Sequence, residues 1–187
     1  MSERPTAAHR PRYCPSKALP PYTYVPGLAP HPVSDARGHL FGKAEPPAEE
    51  LTTSAFAENE TYLYAVDLFN HGYYWEAHEE WERLWHVAGR TGPTADFLKG
   101  LIKLAAAGVK LREGRVAGVK QHGNRSAELL QHAATGDGQS RDTMFGLRLA
   151  EICRFAKGLA ENAGQYVENG KPTTERSLNF TLLLNKP

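Results

Sequence analysis

Residues 97–114 read FLKGLIKLAAAGVKLREG, and the spacing of their apolar side chains decides the fold. At the period of an α-helix, these side chains cover about half of the helix circumference. They are Phe97, Leu98, Leu101, Leu104, Ala105, Gly108 and Val109, with Ile102 widening the face. So wide an apolar surface is typical of a central helix with several neighbours, and Gly100 and Gly108 would allow close approach. The stretch predicts an all-α protein, a compact helical bundle.

Helical periodicity continues on both sides of this central stretch. The predicted helices cover about residues 58–71 (with Ser54 as an alternative start), 73–88, 93–113, 115–134 and 141–168. The pair His71-Gly72 stops the first helix, because glycine readily adopts the left-handed turn that ends helices. The last predicted helix, residues 141–168, has the least regular pattern, which is also compatible with two shorter helices. We therefore expect about five helices.

The chain ahead of these helices is rich in proline, with ten of the 13 prolines in the first 55 residues. Proline lacks an amide donor and favours an extended residue before it, which excludes regular helix. Residues 19–42 nevertheless contain tyrosines and aliphatic residues, which disordered segments usually lack. We expect a Pro-rich arm and linker over residues 1–54 and a helical domain over residues 55–187. Within the arm, residues 1–18 are expected to be flexible and residues 19–42 to lie extended on the domain.

Composition excludes several classes of protein. The formal net charge is +1, without the clustered basic excess of a nucleic-acid-binding protein. No apolar stretch approaches the roughly 20 residues of a membrane span, and no signal-peptide core follows the first residues. The two cysteines, Cys14 and Cys153, form no C-x-x-C motif, and phosphate-binding loops and G-x-S-x-G are absent. The sequence predicts a soluble, cytoplasmic protein.

The second predicted helix carries the residues with the most chemistry, in the sequence YYWEAHEEWERLW at residues 73–85. At 100° per residue, one face combines an imidazole with aromatic rings: Tyr74, Ala77, His78, Trp81 and Trp85. Glu82 lies beside His78 one turn further on, and Glu79 lies near the boundary of this face. The opposite side, which we expect to be solvated, holds Glu76, Glu80 and Arg83.

This face admits three interpretations. In the first, His78 and Glu82 form a half-buried hydrogen-bonded pair that orients the helix, with Arg112 as another partner. In the second, the aromatic rings line a small-molecule pocket in which Glu82 tunes His78 as a hydrogen-bonding or acid–base group. The candidate pocket residues are Tyr74, His78, Glu79, Trp81, Glu82, Trp85 and Arg112.

The third interpretation is a divalent metal site. A histidine and a carboxylate at i and i+4 can face one ion, and Glu79 or a histidine of the arm could complete the coordination. The candidate ligands are His31, His39, His78 and Glu82. The H-E-x-x-H pattern of zinc proteases is not met, because Glu82 stands where that pattern has its second histidine. Nor does a second helix show the Glu-x-x-His spacing of carboxylate-bridged di-iron bundles.

The segment FNHGYYWEAHEEWERLW at residues 69–85 resembles a known family signature, F-N-x-G-x-Y-x-E-A-H-E-x-x-E-x-x-W. The signature is that of the prokaryotic domain-of-unknown-function family 309. A second family element, F-x-x-G-L-I-Q-x-A-A-A, is similar to residues 97–107, with Lys103 in place of the glutamine. The arm sequence at residues 24–32 resembles a longer subgroup of the family. The resemblance implies an all-helical fold and implies no activity.

These observations favour a binding or interaction protein. Its pocket would be polar and aromatic, centred on His78 and Glu82, closed by the arm and occupied by a small molecule or a partner protein. The alternative is an enzyme, a metal-dependent hydrolase that uses His78 and Glu82 with His31 and His39. A structural protein that binds another chain in its grooves is the third hypothesis. The sequence does not decide whether the protein is an enzyme.

Overall fold

A computed structural model describes residues 10–44, 46–167 and 170–185, and it confirms the all-α fold. The helices are α1 (Glu60–Asn70), α2 (Tyr74–Val87), α3 (Gly92–Arg112), α4 (Val116–Thr135), α5 (Leu149–Glu161) and the single-turn α6 (Ala163–Tyr166). Two short antiparallel strands, β1 (Thr143–Met144) and β2 (Leu147–Arg148), form a hairpin between α4 and α5. Within the described residues, every helix is too short or too polar to cross a membrane.

The central position predicted for the third helix is confirmed, since α3 packs against both α2 and α4. Gly100 and Gly108 of α3 lie against these two neighbours. A Cβ atom at Gly100 would lie 2.6 Å from Cγ of Leu130, and one at Gly108 would lie 2.5 Å from Cγ of Tyr74. Both distances are too short for a real contact. The glycines therefore allow the close approach that the sequence indicated.

The start of α1 and its end follow local signals. Asn59 precedes the helix, and its side-chain oxygen accepts a hydrogen bond from the backbone N–H of Tyr62 at 2.9 Å, which caps the first turn. At the other end, Gly72 adopts a left-handed conformation with φ +85°. The predicted stop at His71-Gly72 is thus confirmed.

The fifth helical region differs from the prediction, because residues 143–148 form the hairpin and α5 begins only at Leu149. Phe145 and Gly146 both have positive φ angles, 47° and 78°, and turn the chain. The Phe145 ring is buried against Tyr62 and Phe97, and its carbonyl accepts a hydrogen bond from the Tyr62 hydroxyl at 2.9 Å. These tertiary contacts stabilise a turn where helical periodicity alone predicted a helix.

The arm is held on α1 by a completely buried carboxylate, Asp67. Asp67 accepts hydrogen bonds from Arg12 Nε at 2.9 Å, from Tyr13 N–H at 2.7 Å and from Cys14 N–H at 2.9 Å. Residues 12–14 are therefore bound to α1 and do not form the flexible segment expected from the sequence. Residues 1–9, also expected to be flexible, lie outside the described residues. The boundary between arm and domain near residue 54 stays a prediction.

The segment after α6 runs without helix or strand along the same helices. The Asn70 side chain accepts from Leu182 N–H at 2.7 Å and donates to its carbonyl at 2.9 Å. The Tyr74 hydroxyl accepts a hydrogen bond from Leu178 N–H at 2.7 Å. The arm and this segment together cover α1 and the start of α2, which positions both around the candidate site.

Candidate functional site

Two aromatic residues of the candidate pocket, Tyr74 and Trp81, belong to the core. Both side chains are completely buried, and both rings contact Phe69 at centroid distances of 5.5 and 5.8 Å. The Tyr74 ring also faces Gly108 of α3. This burial indicates that most of the aromatic stripe joins α2 to its neighbours.

His78, Glu79 and Glu82 lie close together on α2 and are half-buried. His78 Nδ1 lies 3.2 Å from Oε1 of Glu79 and 3.9 Å from Oε2 of Glu82. The hydrogen bond predicted between His78 and Glu82 is therefore made with Glu79, and Glu82 lies at ion-pair distance. Glu82 also faces a positive group, since Lys99 Nζ lies 3.8 Å from its Oε1.

Trp85 and Arg112 occupy different surroundings from those predicted for them. The half-buried Trp85 ring carries the Lys99 ammonium 3.7 Å from its centroid, a cation–π contact. Arg112 is buried and does not pair with His78 or Glu82. It donates to Oγ1 of Thr23 at 2.8 Å and to the carbonyl of Arg176 at 3.0 Å. Arg112 thus joins α3 to the arm and to the segment after α6 by side-chain hydrogen bonds.

The arm histidines are not part of the His78 cluster. His31 Nδ1 accepts hydrogen bonds from the N–H groups of Val33 and Ser34, at 3.2 and 3.3 Å. The His39 ring packs edge-on against Tyr22 at 4.7 Å. Among the residues that the structure describes, the group that could hold a metal ion consists of His78, Glu79 and Glu82. Of the two completions that the sequence left open, Glu79 lies beside His78 and Glu82, and the arm histidines do not.

A cavity of about 390 Å³ lies between the arm and the outward side of α2; we call it the arm–α2 cavity. Its arm residues are Ala18, Leu19, Pro20, Pro21, His39, Leu40 and Lys43, and its helix residues are Tyr64, Leu68, Trp75, Glu76, Glu79 and Glu80. The side of α2 that was expected to face solvent is therefore covered by the arm. This cavity is closed by the arm, but neither His78 nor Glu82, the centre of the predicted pocket, lines it.

Glu76, expected to be solvated, is one of the buried groups of this cavity, with only 4% of its surface exposed. Its Oε1 accepts a hydrogen bond from Tyr24 N–H at 2.8 Å, and its Oε2 has no hydrogen-bond partner among the described residues. Burial raises the pKa of the Glu76 carboxyl to about 7. This carboxyl is therefore close to half-ionised at neutral pH.

His39 contributes a second buried atom without a partner to the same cavity, its Nδ1. Burial lowers the pKa of the His39 imidazole, which favours its neutral form. A neutral imidazole offers one nitrogen as donor and the other as acceptor. The cavity thus combines a carboxyl oxygen and an imidazole nitrogen that both lack partners within the described part of the chain.

The other charged groups of the cavity have partners or lie near its edge. Glu80 Oε2 accepts from Arg83 Nη1 at 2.6 Å, and Glu79 bonds to His78. Lys43 is exposed. Glu79 therefore belongs both to the cavity and to the His78 cluster.

Sequence reasoning missed Glu76, Trp75 and Tyr64 as cavity residues, because a helical wheel does not show what packs on the outer side of a helix. The available signal was the arm itself, whose aromatic and histidine residues include Tyr24 and His31. In the structure both rings contact Trp75, at centroid distances of 5.4 and 5.2 Å. The helix α2 is thus buried on two sides, by the helical core and by the arm.

Comparison with known proteins finds a match to one family of unknown function and indicates no activity. Residues 62–121, which run from α1 into the first turns of α4, match the model of the family described as Domain of unknown function (DUF309). No curated protein matches the chain. The match contains both sequence elements that resembled this family, and it confirms the resemblance. The similarity to the family DUF309 therefore extends over residues 62–121 of the chain.

Proposed function

We propose that this protein is a small-molecule-binding module and that its site is the arm–α2 cavity. The observation that carries the proposal is the pair of buried polar atoms without partners, Glu76 Oε2 and His39 Nδ1. Buried polar groups in native proteins are nearly always hydrogen-bonded, and an unmet group costs about 1–3 kcal/mol. A ligand that bonds to both atoms would recover that cost on binding.

The volume of the cavity and its construction support this choice. About 390 Å³ lies within the usual range for ligand sites, and polar groups among apolar walls are typical of them. A larger cavity of about 660 Å³ lies beside the hairpin, where Arg141 and Asp137 bond to each other. None of the buried polar atoms that lack partners in the described part of the chain lines that larger cavity.

A fragment screen by two-dimensional NMR tests the proposal, with the side-chain N–H of Trp75 as the reporter. We expect fragments to shift this signal saturably in the wild-type protein. Ala18→Trp places a large ring at the cavity wall and should abolish the shifts. Ala36→Trp, at an exposed arm position outside the cavity, is the matched control and should leave binding unchanged. Shifts that persist in Ala18→Trp, or the absence of any saturable fragment, would contradict the proposal.

The second candidate function is that of a metal-dependent hydrolase, and one observation favours it. The ligand atoms of His78, Glu79 and Glu82 lie within 4.8 Å of one another. Imidazole and carboxylate ligands suit divalent transition metals, and three protein ligands leave coordination positions open for a water molecule. Lys99 argues against this candidate, because its ammonium already lies beside Glu82.

Elemental analysis after incubation with zinc or manganese tests this candidate. We expect a metal site to retain about one equivalent of ion in the wild-type protein and to lose it in His78→Ala, because the imidazole is the only nitrogen ligand. His132→Ala removes an exposed histidine of α4 and should retain the ion. Substoichiometric metal in the wild-type protein, or equal retention in both variants, would exclude the metal site.

A further inference from the structure

We infer that the ligand of the arm–α2 cavity is a compact organic cation, such as a protonated primary amine or an amidine, held by the carboxylate of Glu76. This inference rests on the small-molecule function proposed above and names the chemical class of its ligand. It is carried by the charges, the unpartnered atoms and the rings that line the cavity.

The balance of charge favours a cation. Three carboxyl groups of α2 line the cavity, from Glu76, Glu79 and Glu80, against one exposed ammonium, from Lys43. Arg83 already neutralises Glu80, and His78 bonds to Glu79. Glu76, the most buried of the three carboxyls, forms no ion pair with a described residue, and the Arg112 guanidinium attracts its charge from beyond ion-pair distance. An anionic ligand would meet repulsion at this point.

The unpartnered atoms favour a ligand with N–H donors. Glu76 Oε2 accepts hydrogen bonds when the carboxyl is ionised, and His39 Nδ1 accepts them in the tautomer that carries its proton on Nε2. An ammonium or amidinium group supplies several N–H donors and would also replace the water lost from the carboxylate. Hydrogen bonds of this charged kind are about twice as strong as neutral ones.

The rings and aliphatic side chains define the rest of the ligand. Trp75 and Tyr64 line the cavity together with Leu19, Leu40 and Leu68, so a short apolar body fits beside the charged group. Tyr64 already carries an ammonium in the structure, since Lys17 Nζ lies 4.6 Å from the centroid of its ring. This part of the arm interface therefore accommodates a cation on an aromatic face.

Three probes with the same carbon skeleton and different charge test the inference: benzylammonium, benzyl alcohol and benzoate. NMR titrations at pH 8, where Glu76 is largely ionised, measure the affinity of each. We expect benzylammonium to bind at least tenfold more tightly than benzyl alcohol, and benzoate not to bind. Glu76→Gln should reduce the affinity for benzylammonium at least tenfold, while Glu151→Gln, at an exposed carboxylate of α5, should leave it unchanged.

Two results would overturn the inference. They differ in their consequence for the proposed small-molecule function. If benzyl alcohol or benzoate binds as tightly as benzylammonium and Ala18→Trp blocks that binding, the cation class is wrong and the small-molecule cavity stands. If benzylammonium shows no saturable binding, the cation class is also wrong. The fragment screen described above then decides separately whether the proposed function fails with it.

Discussion

Asp67→Ala is expected to lower the free energy of unfolding by about 3 kcal/mol. The substitution removes the acceptor of two backbone N–H groups and of the Arg12 guanidinium, all of them bonded to a carboxylate that is completely buried. A hydrogen bond to a charged group contributes about 1.5–3 kcal/mol, and each buried N–H group left without a partner costs about 1–3 kcal/mol. Arg12 is partly exposed, so water offsets part of the loss. Urea denaturation at neutral pH measures the difference.

Asp96→Ala is the matched control for this substitution. Asp96 lies 2.6 Å from Nδ1 of His132, whose side chain is mostly exposed, and such surface pairs contribute about 1 kcal/mol or less. Asp67→Asn keeps one acceptor oxygen and should fall between the wild-type protein and Asp67→Ala. If Asp67→Ala and Asp96→Ala destabilise the protein equally, the arm is not held by Asp67.

Glu76→Gln is expected to stabilise the protein relative to wild type as the pH rises. Burial raises the pKa of Glu76 from 4.5 to about 7, so between these values the folded state holds a proton that the unfolded state has released. The contribution of Glu76 to stability is therefore complete below pH 4.5 and is lost as the pH rises through 7. At about 1.4 kcal/mol per pKa unit, the loss amounts to about 3 kcal/mol.

Urea denaturation of both proteins at several pH values checks this expectation. Glutamine does not ionise, so the free energy of unfolding of Glu76→Gln minus that of the wild-type protein should increase by about 3 kcal/mol from pH 4.5 to well above 7. Glu151→Gln, on the exposed side of α5, should give a flat difference over the same range. A flat difference for Glu76→Gln would mean that water or another group solvates this carboxyl in the folded protein.

Much of the helical framework could be predicted because it depends on local patterns. The apolar period placed α3 at the centre, Gly72 ended α1, and Gly100 and Gly108 indicated close helix contacts. The hairpin could not be predicted, because Phe145 is held in its unusual conformation by Tyr62, far away along the chain.

The candidate site was predicted less completely, for a physical reason. The pattern of α2 correctly placed His78 near Glu82 on the face that also holds Trp81. It could not show that the arm would cover Glu76, since Tyr24 and Glu76 are 52 residues apart in sequence. A buried carboxylate and an exposed one look alike in a helical wheel, and only the tertiary contact distinguishes them.

The way the arm is attached determines how the contents of the arm–α2 cavity exchange with solvent. Asp67 holds the arm up to Cys14, and Arg112 holds it again at Thr23. Ala18, Leu19, Pro20 and Pro21, which line the cavity, lie between these two fixed points. Displacement of this short loop breaks the hydrogen bond that the Tyr64 hydroxyl donates to the Ala18 carbonyl at 2.9 Å, and loop motions of this kind take about nanoseconds to microseconds. Release of the whole arm would break both attachments and occurs on the much slower timescale of local unfolding.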